Sequence, residues 1–172
     1  MSTTARLDVA LWGATRHAHA LDGALADWDV AAARDWETIE GDRALVRLVD
    51  QILYRFIKLQ DAIGERLVPA TLNALAEPCE DWPMRDRLNR LEKLGYLNVD
   101  AWLGWRDVRN RLAHEYRDAP AARFALLAVA IQATRELLAS YRSWQDALTL
   151  AGLASEPKVT PRKLRDPPCP KC

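Results

Sequence analysis

Residues 124–148 read F-A-L-L-A-V-A-I-Q-A-T-R-E-L-L-A-S-Y-R-S-W-Q-D-A-L. Phe124, Leu127, Ile131, Thr134, Leu138, Tyr141 and Leu148 fall on a three-four spacing, with Gln145 the one polar interruption. A helix turns once every 3.6 residues, so this spacing collects the apolar side chains on one face. The stretch predicts a long amphipathic helix running through about Leu150, and a chain whose fold is decided by helix packing.

The same signal recurs towards the N-terminus. Leu45, Leu48, Ile52, Phe56, Leu59, Ile63 and Leu67 form a second stripe, with Asp42 placed to cap it. Pro69 is expected to kink or end that helix, because it lacks a backbone donor and its ring crowds the preceding turn. The opposite face carries Arg55, Lys58, Asp61, Glu65 and Arg66. Such a face is as a rule simply solvated, but Lys58 and Asp61 are also candidates for the wall of a cleft. Residues 5–28 carry a third stripe, Leu7, Leu11, Ala14, Ala18, Leu21, Leu25 and Trp28, weakened by Gly13 and Gly23. His17 and His19 are two apart and point to different sides, so they do not make a metal pair and read as solvated helix histidines. Pro83 opens a helix that runs to Leu94 and is ended by Gly95, and Asn98 caps the next one, which carries Trp102, Trp105 and Leu112. No convincing strand, glycine-rich phosphate loop or internal repeat occurs. The expectation is an all-α protein, a four- to five-helix up-and-down bundle.

Composition narrows the function. The 172 residues hold 24 basic and 24 acidic side chains, which argues against a globally basic nucleic-acid binder. Charge is nevertheless uneven: residues 85–123 carry nine Lys and Arg against six Asp and Glu, and residues 1–40 carry three against seven. No apolar run approaches the roughly 18 residues of a membrane span, and the first residues are polar. Cys79, Cys169 and Cys172 do not make a disulfide framework, so a soluble cytoplasmic protein with no membrane partner is expected. Residues 1–154 are expected to be one helical domain, in which residues 1–40 stand either as core or as an extension. Residues 155–172, rich in Pro, Lys and Arg, are expected to be a disordered tail. The Cys169 and Cys172 pair supplies half of a zinc site and lacks the other half, so no metal and no cofactor are expected.

The chemistry concentrates in residues 106–116, R-D-V-R-N-R-L-A-H-E-Y. An imidazole such as His114 can take the proton of a ribose 2′-hydroxyl or return one to the leaving oxygen. A guanidinium such as Arg109 can hold a phosphate bidentately and balance charge in the transition state. Asn110 can orient either, and Arg106 is a candidate for the wall of the same cleft. On a regular helix Arg109 and His114 lie about 140° apart, so one straight helix does not easily aim both at one bond. Either the helix distorts near His114, or two copies meet across a two-fold axis and pool their motifs. The plain alternative is that these side chains only satisfy carbonyls and neighbouring acids.

The string Arg109-Asn110-x-x-Ala113-His114-x-Tyr116 resembles the signature of the HEPN family (higher eukaryotes and prokaryotes nucleotide-binding), and most of all its bacterial toxin branch. The resemblance covers residues 42–150. It implies a helical bundle, a homodimer and a metal-independent endoribonuclease site at the dimer cleft. Arg109 and His114 would be catalytic and Asn110 a polar helper. In that branch a nucleotidyltransferase antitoxin of the minimal (MNT) type neutralises the toxin by adding AMP to the motif tyrosine, here Tyr116, in a type VII-like toxin–antitoxin pair. The resemblance also allows a second reading, a non-catalytic nucleotide- or substrate-binding partner of a nucleotidyltransferase.

Overall fold

The computed structural model describes residues 2–114 and 119–154. Its regular elements are all helical: α1 (Thr3–Ala31), α2 (Trp36–Gly41), α3 (Arg43–Asp61), a π-helical segment (Ala62–Leu67), α4 (Val68–Ala74), α5 (Met84–Lys93), α6 (Val99–His114) and α7 (Pro120–Leu150). The π-helical segment joins α3 and α4 without a break, so the three make one long rod. Setting apart the six-residue α2, five rods remain.

Local signals in the chain place the helix ends. The Ser2 hydroxyl accepts from the backbone N–H of Ala5, Asp35 from Thr38 at 2.7 Å, Asp42 from Ala44 at 2.7 Å and Asn98 from Ala101 at 2.8 Å. Each satisfies one of the donors that a helix start leaves without a partner. Gly95, at φ 81°, takes the left-handed conformation that ends α5, which a residue with a Cβ adopts at a cost.

The rods alternate in direction. Asp22 pairs with Arg142, and Asp29 with Arg135 at 2.6 Å, so α1 and α7 run antiparallel. Glu40 meets Arg123 and Thr71 meets Trp144, so the α3 rod runs with α7. Asp61 meets Arg109 while Gly64 faces Trp102, so α6 runs against the α3 rod.

The apolar stripes meet in one core. Leu7, Ala14 and Leu21 of α1, Ile52, Phe56 and Leu59 of α3, Trp102 and Trp105 of α6, and Leu127, Leu138 and Leu148 of α7 are all buried in it. Residues 1–40 are therefore not peripheral: α1 lies against α3, the π-helical segment, α4 and α7. Fully burying a leucine is worth about 1.5–3 kcal/mol, and α1 and α7 each contribute several such side chains. Trp144, the largest fully buried side chain, lies outside the stripe read from the sequence. Its indole N–H donates to the Thr71 hydroxyl at 3.2 Å, which lets so large a polar ring be buried. No described helix is long and apolar enough to cross a membrane.

Pro69 does not end its rod. Within a regular α-helix its ring would crowd the carbonyl of Glu65. The chain instead widens by one residue per turn just before the proline, and the Val68 N–H donates to the Ile63 carbonyl five residues back.

Candidate functional site

Helix α6 is held at its start by Asn98 and by the Glu92 carboxylate, which accepts from the Val99 N–H at 2.8 Å. Its inner stripe is Trp102, Trp105, Val108 and Leu112, spaced three, three, four. The first three are buried and Leu112 is partly buried. Arg109 stands at the edge of that stripe and is partly exposed. Its guanidinium reaches the rim of the core and donates to Asp61 at 2.8 Å. The other oxygen of Asp61 lies 3.6 Å from Lys58 Nζ. One carboxylate therefore sits between two cations, at the last residue of α3 where the π-helical segment begins.

That segment is fitted closely to α6. A Cβ on Gly64 would lie 3.2 Å from Cζ2 of Trp102, so only glycine admits this approach without a shift. Trp102 and Trp105 meet edge to face with centroids 6.5 Å apart. The Trp105 N–H donates to Glu136 of α7 at 3.1 Å. Gln132 donates to the same carboxylate at 2.9 Å, and these two hydrogen bonds, Gln132 first, hold Glu136 below the usual carboxylate range. By contrast the Trp102 N–H and both amide atoms of Gln60, which is 2% exposed, have no partner among the described residues. An unpartnered buried polar group costs about 1–3 kcal/mol. The α3–α6 contact thus carries a local cost directly beside Asp61.

Arg106 and Asn110 are exposed on α6. At about 100° per residue they stand roughly 60° and 100° around the helix from Arg109, and the backbone of His114 roughly 140°. The motif thus spans one sector of α6, with Arg109 at the sector's core-facing edge. His114 is the last residue of α6. Its side chain, and Tyr116 altogether, lie outside the described residues, as do Cys169, Cys172 and the expected tail. Of the candidates named from the sequence, the structure joins Arg109, Asp61 and Lys58 into one contact and sets Arg106 and Asn110 on the solvent side.

A guanidinium presents five donors in a plane. One of those of Arg109 engages Asp61, which orients the plane and leaves donors for a phosphate. The pair is too exposed, at 35% and 21% of the two side chains, to add much stability. Its effect is positional. Among the described residues no group of three His, Cys, Asp or Glu side chains could hold a metal ion.

The structure also corrects the reading of His17. It is not simply solvated: Nη1 of Arg55 lies 3.0 Å from its Nδ1, so Nδ1 accepts and the ring is neutral. Burial first, and then Arg55, Arg16, Lys58 and Arg66, hold its pKa below the ordinary value. No spacing within α1 signals the Arg55 contact, because that partner comes from α3.

No protein-family description, curated protein or solved structure matches the chain.

Proposed function

We propose that this chain is a metal-independent endoribonuclease of the HEPN type, acting as a homodimeric toxin in the cytoplasm under the control of an MNT-type nucleotidyltransferase. The observation that carries the reading is Arg109. It stands at the core-facing edge of the sector that the motif occupies on α6, and Asp61 fixes its guanidinium at the surface. An arginine needed only for packing would not require the neighbouring Asn110 and His114 on the same sector of the helix.

The reaction is an internal displacement. The ribose 2′-oxygen attacks the adjacent phosphorus, the bond to the 5′-oxygen of the next nucleotide breaks, and a 2′,3′-cyclic phosphate and a 5′-hydroxyl result. His114 takes the 2′-hydroxyl proton, and the imidazole of the second copy protonates the leaving 5′-oxygen. Arg109 holds the non-bridging oxygens as charge builds on them. Asn110 orients the ribose or the imidazole. The exposed motif sector of α6 supports a site completed by a second copy. So does Leu103, 42% exposed on the same side of that helix as Asn110.

Tyr116 is the proposed point of control. AMP on its hydroxyl would add a phosphate two residues from His114 and compete with RNA by charge and bulk. Expression of the chain should arrest growth, and His114→Ala or Arg109→Ala should relieve it with the fold intact. Co-incubation with an MNT-type nucleotidyltransferase, ATP and Mg²⁺ should add the mass of AMP to the wild type and leave Tyr116→Phe unlabelled but still active. Arrest that persists in His114→Ala would reject catalysis. A chain that labels yet never cuts RNA would leave the binding-partner reading instead. Light scattering should give a dimer at micromolar concentration; a monomer would remove the shared cleft.

A further inference from the structure

A series of contacts leads from the motif across the surface of α3 to the outer side of α1. Asp61 joins Arg109 to Lys58. Lys58 Nζ lies 5.9 Å from the Tyr54 ring, and the Arg55 guanidinium lies 5.6 Å from the same ring. Arg55 in turn donates to His17. Arg16, next to His17 in α1, lies over the Trp12 ring at 4.7 Å, about 100° to 140° around the helix from His17.

Two features of this track point to a ligand. Its two aromatic rings are held in water, Trp12 at 63% and Tyr54 at 55% exposed, where burial in the core does not explain them. Each ring has a cation over it. In addition, the track is basic in a chain of zero net charge. Arg16, Arg55, Lys58, Arg66 and Arg109 stand along it, against Asp61 and Glu65 at the motif end, Asp50 one turn from Tyr54 and Asp8 one turn from Trp12. Burial first, and then Arg55, Arg16, Lys58 and Arg66 of the track, hold the pKa of His17 at its centre below the ordinary value.

We propose that this face of α1 and α3, from Trp12 and Arg16 to Lys58 and Arg109, binds single-stranded RNA and leads it to the motif end of α6. Bases stack on Trp12 and Tyr54 while phosphates lie on Arg16, Arg55 and Lys58. Stacking accepts any base and cations accept any phosphate, so the track supplies affinity and direction without sequence preference. An acidic protein would also meet the charge, but it does not need two exposed rings each carrying a cation. The proposal deepens the ribonuclease reading and rests on it for where the strand leads; the binding itself can be measured without cleavage.

The test uses the full chain and a short fluorescent oligoribonucleotide whose 2′-hydroxyls are methylated, which cannot be cut by internal attack. Anisotropy should show binding that weakens with salt. Trp12→Ala and Arg16→Gln together should weaken it by about ten-fold or more, since both side chains are exposed and the fold does not depend on them. Arg16→Gln alone should lower the slope of log affinity against log salt by about 0.7, the loss of one phosphate contact. Lys93→Gln, a cation on α5 away from the track, should bind as the wild type does. Wild-type affinity in the double variant would overturn the proposal, and so would an equal loss in Lys93→Gln. If the double variant binds and cuts normally but escapes neutralisation by the nucleotidyltransferase, the face is a protein interface and the proposal is wrong. If binding falls as expected but no RNA is ever cut, the track stands and the ribonuclease reading fails.

Discussion

The contact of α1 with α7 and the contact of the α3 rod with α6 are built on opposite terms. Along the first, the polar groups that enter the core are matched. The Tyr141 hydroxyl meets Thr15 at 2.8 Å and the Leu11 carbonyl at 3.1 Å, and Gln145 donates to Thr15 at 3.1 Å. Beside it, the Trp144 indole reaches Thr71, and outside it the Asp22–Arg142 and Asp29–Arg135 pairs close the edge. Along the second, Gln60 and the Trp102 N–H go without partners, the helix is widened, and Gly64 admits a close approach. Arg109 of the motif lies on the second contact. Satisfied polar contacts fix a structure, whereas local cost tends to persist where function keeps it.

The comparison can be broken most forcefully at Trp144. Replacing it with alanine should cost about 3–5 kcal/mol of stability by the cavity it leaves and the lost partner for Thr71. Cleavage per folded molecule should be unchanged, as denaturant unfolding combined with activity will show. A loss of activity without a loss of stability would mean that the two contacts are not separable.

At the second contact, Asp61→Ala should do the reverse. Stability should move little, because the pair is partly exposed. The kcat for RNA cleavage should fall about ten- to hundred-fold as Arg109 loses its orientation, while KM does not rise. Asp61→Asn, which keeps an oxygen acceptor, should recover part of the loss. A rise in KM with kcat unchanged would make Asp61 a binding group and not a positioning one.

A smaller effect separates the contacts by pH. Burial pushes the Tyr141 hydroxyl up to about 12, against the lowering effect of the neighbouring Thr15 and Gln145 side chains. An unfolded tyrosine ionises near pH 10. The folded value is the higher, so this contribution to stability is complete below about pH 10 and is lost as pH rises towards 12. The thermal midpoint of the wild type should therefore fall more steeply across that window than that of Tyr141→Phe. Parallel curves would show that the phenol is not held as described.

The smallest expected change is a gain. Gln60→Met removes two unpartnered polar atoms at similar volume and should stabilise the fold by about 1 kcal/mol. If Gln60 serves only the local packing, cleavage will be unaffected. Lower kcat in the more stable protein would show that the buried amide belongs to the site.

The long stripes on α1, α3 and α7 were legible because burial leaves a periodic trace in the sequence, and the caps at Asp42 and Asn98 because a helix start wants those side chains. Arg109, Asp61 and Lys58 could be named singly. Their meeting could not, since it depends on which turn of α6 faces the end of α3. The π-helical segment left only Pro69 as a sign, and that residue reads equally as a kink or a stop. Trp144 was missed because its burial follows from a second stripe on a helix packed on more than one side. His17 was misread because its partner Arg55 lies 38 residues away in sequence.

The central claim is that the motif on α6 is a working ribonuclease site. It is tested most directly by incubating the purified chain with single-stranded RNA in excess EDTA and identifying the new ends by mass. Cleavage is expected to leave a 2′,3′-cyclic phosphate and a 5′-hydroxyl, and to be lost in both Arg109→Ala and His114→Ala. Cleavage that stops in EDTA and returns with a divalent metal, or that leaves a 5′-phosphate, would contradict the central claim.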